Sequence, residues 1–134
     1  MSHLKGGCLC GQVRYTLSAE PTATVVCHCT HCQKVSGSAF SVNLVVHKDQ
    51  IAFEGDMAAY RDQGESGNHL NRRFCAKCGS SIASEPETRP GVVILKAGTL
   101  DDYASVKPAA QIWTRSAQPW VKLGGDLAAF EKGR

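Results

Sequence analysis

Seven cysteines fall in three tight groups, Cys8-Leu9-Cys10, Cys27-His28-Cys29-Thr30-His31-Cys32 and Cys75-Ala76-Lys77-Cys78, with none elsewhere in the 134 residues. Thiolates are soft metal ligands. A structural zinc takes four protein ligands, whereas a working zinc keeps one position open. Two groups supply two thiols each and the middle group supplies three. The arithmetic gives one complete four-thiolate site, Cys8, Cys10, Cys75 and Cys78, and one site a ligand short, Cys27, Cys29 and Cys32. An odd count also means that the seven cannot all pair as disulfides within the chain.

Extended backbone must position these groups. Residues two apart on a strand face one side, so Cys8 and Cys10 can meet one ion while Leu9 points away. Gln12–Leu17 alternates, with Val13, Tyr15 and Leu17 on one face, and reads as a half-buried strand whose Arg14 faces solvent. Thr22–Val26 is strand-like and delivers Cys27 and Cys29 side by side, with Cys32 on a turn curling back to the same point. Ala39–Val46 alternates through Phe40, Val42, Leu44 and Val46. Shorter strands follow at Ile51–Phe53 and Ala58–Arg61, then a polar loop over 62–68, expected to be mobile. His69–Phe74 leads into the Cys75–Cys78 knuckle. Ser80–Glu85 pairs with Val92–Gly98, whose continuous apolar run predicts a central, fully covered strand. Asp101-Asp102 reads as a capped turn. No stretch has the length of an amphipathic helix.

Several residues near the open site carry two readings. His28 is turned away from the metal by strand alternation, whereas His31 lies where it could approach; both are expected beside the site rather than on the ion. Ser36-Gly37-Ser38 either binds a substrate carboxylate or oxyanion or simply connects the cluster to the next strand. Trp113 and Trp120 either pack in the core or wall the open site.

The totals narrow the class. The length fits a single domain spanning residues 1–134, and no apolar run approaches a membrane span. The first seven residues carry no apolar stretch resembling a secretory signal, and clustered thiols suit a reducing compartment, so the cytoplasm is expected. The formal charge of +3 counts every cysteine as neutral. Seven thiolates holding two divalent ions bring it to zero, which removes most of the electrostatic case for nucleic acid.

Gly7-Cys8-Leu9-Cys10-Gly11, Cys27-His28-Cys29-Thr30-His31-Cys32, Ser36-Gly37-Ser38-Ala39-Phe40 and Phe74-Cys75-Ala76-Lys77-Cys78-Gly79 stand in an order that resembles the glutathione-dependent formaldehyde-activating enzymes, a family that also includes centromere protein V. The likeness runs from about Leu4 to Phe130. It implies a mainly β fold, a compact zinc-bound assembly of small antiparallel sheets (Mss-four-like) with little helix. It also implies two zinc ions per chain. One is structural, at Cys8, Cys10, Cys75 and Cys78; the other is exchangeable, at Cys27, Cys29 and Cys32. The implied reaction joins the thiol of glutathione to formaldehyde, the work of a carbon–sulfur lyase. The chain departs from the family pattern at Gln111, where many members have His, and at Ala128-Ala129, where many have Pro.

The expected mechanism uses the open zinc to hold a thiolate or polarise an aldehyde, with Ser36 and Ser38 binding the carboxylate or the developing oxyanion. The expected partners are a glutathione-like thiol and a small aldehyde, with no membrane and no nucleic acid. The alternatives are a thiol binder without turnover and a zinc-stabilised interaction module.

Overall fold

The computed structural model describes residues 4–133. The strands are β1 (Leu4–Gly7), β2 (Arg14–Leu17), β3 (Ala23–Cys27), β4 (Ser41–His47), β5 (Ile51–Glu54), β6 (Met57–Gln63), β7 (His69–Cys75), β8 (Ser81–Pro86), β9 (Val92–Lys96), β10 (Ala110–Ile112) and β11 (Ala128–Ala129). They build a small sheet, β1-β2-β5, and a larger one in the order β11-β10-β3-β4-β9-β8-β7-β6. Pairing is antiparallel except around β10, which runs parallel to β3 and to β11. The fold is mainly β, as expected.

Alternation sorts the large sheet into two faces. Leu44 and Val46 of β4, Val93 and Leu95 of β9 and Ala83 of β8 are buried together with Val13, Tyr15 and Leu17 in the main core. The β-branched and aliphatic content of these strands suits a pleated surface covered on that side. On the other face, Ala23, Val25 and Cys27 of β3 stand beside Asn43 and Val45 of β4. Ile94 and Lys96 of β9, Ser84 of β8 and Leu70 and Arg72 of β7 continue the row, and all of them line one cavity. The register is continuous: Ala23 faces Val45, Val45 faces Ile94, Ile94 faces Ser84 and Ser84 faces Arg72. β9 is therefore central, as its apolar run predicts, but one of its faces meets a cavity rather than core.

The small sheet is locked to the large one by close backbone approach. Gly6 bridges Leu100, and a Cβ on Gly6 would lie 2.2 Å from the Thr99 carbonyl oxygen and 2.3 Å from the Tyr15 hydroxyl, so only glycine fits. The Tyr15 hydroxyl hydrogen-bonds Thr99 Oγ1 at 2.7 Å. Arg14, expected to be merely solvated, forms a bidentate pair with Asp101 across the same seam.

The expected turn at Cys32 is instead a short helix, α1 (Thr30–Ser36). Seven residues are too few to hold a helix in water by propensity alone. Its ends are fixed from within the fold. Cys29 is the N-cap and its sulfur accepts the Cys32 N–H at 3.2 Å, while Gly37 ends the helix in the left-handed region at φ 63°. Glu65 accepts the Thr30 N–H at 2.6 Å, and Gln33 Nε2 donates to the carbonyls of His28 and Ser116 at 2.8 and 2.9 Å.

Candidate metal centres

The four-thiol group lies between the turn after β1 and the β7–β8 turn, and so joins the two sheets. Cys8, Cys10, Cys75 and Cys78 bring their sulfurs within 4.8 Å of one another. Cys8 and Cys10 sulfurs are 3.6 Å apart, and Cys10 and Cys75 sulfurs 3.8 Å. Four sulfurs at a tetrahedral zinc, with Zn–S near 2.3 Å, stand about 3.8 Å apart. The donor set therefore fits zinc in both chemistry and size. Backbone amides turn toward the sulfurs: Val13 N–H donates to Cys8 at 3.2 Å, and Lys77 and Cys78 N–H both donate to Cys75 at 3.4 Å. Hydrogen bonds from Ser80, side chain first and backbone second, hold the Cys78 thiol down at about 5. Bonds of this kind favour thiolate over thiol.

The second group is buried. Cys27, Cys29 and Cys32 also lie within 4.8 Å of one another, and each is under 9% exposed. Cys27 ends β3, Cys29 caps α1 and Cys32 sits in its first turn, so a strand end and a helix start converge on one point. Hydrogen bonds from Cys27, then Cys29, hold the Cys32 thiol at about 2, with Lys96 and Ser41 adding to the effect against burial. The same sharing pushes Cys27 up. A divalent cation held by the three sulfurs would let all three ionise. Among the described residues no fourth histidine, cysteine or carboxylate joins them.

Neither histidine of the motif joins the group. His28 is fully buried and faces away, with Nε2 2.9 Å from Gln111 Oε1 and its ring edge-on to Phe40. His31 turns to Asp62, with Nδ1 2.8 Å from Oδ2. Of the two tryptophans, Trp113 packs on the three cysteines and lines the cavity, whereas Trp120 is 69% exposed. Trp113 follows Ile112, the β10 partner of Cys27, and takes φ 58°. It is the one non-glycine residue at positive φ among those described, a costly conformation held where its ring walls the thiols.

The cysteines open onto a cavity of about 610 Å³. That volume lies in the range of small-molecule sites. Its polar lining includes Asn43, Glu65, Arg72, Ser84, Arg89 and Lys96. Sequence reasoning missed these residues. Lys96 Nζ donates to Asn43 Oδ1 at 2.8 Å, and Arg72 Nε donates to Asp62 Oδ2 at 2.8 Å. Burial pulls the Lys96 ammonium down from its usual range, against the pull of the cysteine charges.

Ser36 and Ser38 lie apart from the cavity onto which the three cysteines open. Both are exposed near the C-terminal end of α1, and neither lines the cavity. The Ser36 hydroxyl donates back to the Cys32 carbonyl at 2.7 Å, a contact that serves the helix. Ser38 borders a shallow depression with Gln33, Lys34, Gly37, Gln118 and Trp120. The helix between them and the cysteines carries them to its far end.

Among the described residues no helix is long and apolar enough to cross a membrane. No curated protein matches the sequence. A crystal structure of a Rhodobacter sphaeroides protein from structural genomics is similar in fold, with a TM-score of 0.57, 18% identity, and 78% of this chain and 91% of that one covered. The family model described as glutathione-dependent formaldehyde-activating enzyme matches residues 3–116. With all seven cysteines inside that match, the chain belongs to the glutathione-dependent formaldehyde-activating enzyme family.

Proposed function

We propose that this protein joins a thiol such as glutathione to formaldehyde or a related small aldehyde, as a zinc-dependent carbon–sulfur lyase of the S-hydroxymethylglutathione synthase type. The observation that carries the reading is three buried cysteine sulfurs within 4.8 Å, with no fourth described protein ligand, at the wall of a small-molecule cavity. Cys27, Cys29 and Cys32 would hold one exchangeable zinc, and Cys8, Cys10, Cys75 and Cys78 a structural one. Zinc at three thiolates supplies a Lewis-acid position for a substrate thiolate or an aldehyde oxygen. The chain's own contribution is placement. Cys29 fixes the start of α1 and so the position of Cys32. Trp113 and Ile112 pack against the cysteines and keep water from that side.

The reaction balances without a redox partner. The thiol sulfur bonds to the carbonyl carbon, the carbon–oxygen π pair moves to oxygen, and oxygen takes the proton that the thiol gives up. Seven cysteines clustered as metal ligands suit a reducing compartment, the cytoplasm, as the place of work.

The test is the rate of S-hydroxymethylglutathione formation, read by exchange NMR with purified zinc-loaded protein. A rate above the spontaneous one that saturates with glutathione is expected. A rate equal to the spontaneous one at every protein concentration overturns the proposal.

A further inference from the structure

Within the cavity, the polar groups that face one another from β9, β8 and β7 are nearly all donors. Lys96 spends one of its three N–H donors on Asn43 and forms no ion pair with a carboxylate among the described residues. Arg72 is 5% exposed, and its recorded hydrogen bond runs from Nε to Asp62. Arg72 lines the cavity, and no hydrogen bond among the described residues engages its Nη groups. Ser84 is the most telling. It is 2% exposed and lines the cavity, yet its hydroxyl has no hydrogen-bond partner. A buried polar group left unpaired costs about 1–3 kcal/mol, a cost that an acceptor bound in the cavity would relieve.

The sheet register explains the grouping. Ser84 stands opposite Arg72 and opposite Ile94, two residues before Lys96. Neighbouring strands are about 4.8 Å apart, so these groups lie within one small-molecule radius of one another. Asp62, the acid beside them, is already engaged by Arg72 and His31, and Glu65 by Thr30 and Arg115. Arg89 adds a further cation to the cavity lining.

We propose that Lys96, Ser84 and Arg72 form an anion subsite that takes a carboxylate of the thiol substrate. It deepens the thiol-adduct reading and rests on that reading for the thiol end of the ligand. A carboxylate suits the donors, because it is acceptor-only and meets the arginine fork with two oxygens. The geometry suits the ligand too. Cys27 on β3 and Lys96 on β9 are two strand spacings apart and offset by two residues, roughly 12 Å between backbones. A thiol and a carboxylate separated by one to two extended residues span most of that distance, given about 3.5 Å per residue and the reach of the side chains. The subsite therefore selects acidic peptide thiols over simple alkyl thiols.

Calorimetric titration of the zinc-loaded protein with S-methylglutathione tests the subsite without turnover, since this probe keeps both carboxylates but has no free thiol. Its diethyl ester, with the carboxylates masked, is the control. The acid is expected to bind, and Lys96→Met to weaken it about tenfold, the scale of a lost hydrogen bond to a charged group. The ester is expected to bind weakly and to be indifferent to Lys96→Met. Ser84→Ala, which removes one hydroxyl, is expected to weaken the acid about threefold and keeps the test open if Lys96→Met fails to fold. The proposal is overturned if the wild type does not bind the acid, if it binds the ester equally well, or if neither variant changes acid binding. Acid binding that depends on Lys96, together with adduct formation no faster than the spontaneous rate, would support the subsite while overturning the catalytic reading.

Discussion

Arg72 Nε lies 2.8 Å from Asp62 Oδ2, and the two side chains are 7% and 12% exposed. The same Asp62 oxygen takes His31 Nδ1 at 2.8 Å, so one carboxylate joins β6, β7 and α1 on the cavity side of the sheet. Asp62→Asn should leave the Arg72 charge buried without its counter-ion. Breaking such a pair from one side costs about 3 kcal/mol or more. Urea unfolding of the zinc-loaded protein should register that loss. A midpoint equal to wild type would mean that Arg72 is solvated well enough to need no acid.

Glu65 ties the β6–β7 loop to α1 by accepting from the Thr30 amide at 2.6 Å and the Thr30 hydroxyl at 2.7 Å. Those two bonds, the amide first, hold its carboxyl below the usual range, with Arg115 adding to the effect against burial. A depressed folded-state pKa contributes stability that is present above the unfolded glutamate value, near 4.3, and is lost as pH falls through the folded value. Glu65→Gln should therefore be less stable than wild type by about 1 kcal/mol at neutral pH, the difference between a hydrogen bond to a charged acceptor and one to a neutral acceptor. The gap should narrow below about pH 4.5. Acid release of zinc affects both proteins and drops out of the difference. Parallel stability curves down to pH 3 would show that the Glu65 charge carries nothing.

The strands were legible because their burial alternates along the chain. Val13, Tyr15 and Leu17 are each at or below 2% exposure, as the period-two pattern of Gln12–Leu17 predicts. The cysteine groups were legible for a different reason: thiol spacing reports ligand geometry directly. α1 was not legible, because a seven-residue helix has no apolar period. It is held by Glu65 and Gln33 through contacts distant in the chain. The cavity floor was hidden for a similar reason. Its polar groups come one or two at a time from β4, β9, β8 and β7, and become a site only through register. One local signal was present. Asn43 stands between Val42 and Leu44, and Ser84 follows Ala83, so polar residues interrupt the face opposite the core.

Ser36→Ala and Ser38→Ala should leave the adduct-forming rate within about twofold of wild type, since neither residue lines the cavity. Ser36→Ala removes only a hydroxyl that returns to the Cys32 carbonyl of its own helix, so its stability effect should stay within about 0.5 kcal/mol. Steady-state kinetics on both variants checks this. A tenfold loss at either serine would bring the far end of α1 back into the substrate's path.

The two cysteine groups should answer differently to removal of one thiol. Cys78 closes the four-sulfur set that joins the small sheet to the large one, and structural zinc contributes on the order of 10 kcal/mol to folding. Cys78→Ser should therefore give a protein without a cooperative unfolding transition. Cys29→Ser should keep the transition, because serine is itself a good N-cap and its oxygen can accept the Cys32 N–H in place of sulfur. That variant should lose one metal equivalent by atomic absorption and its adduct-forming rate, with the other equivalent retained. Cooperative unfolding of Cys78→Ser, or a full metal complement in Cys29→Ser, would each contradict the division of labour between the two centres.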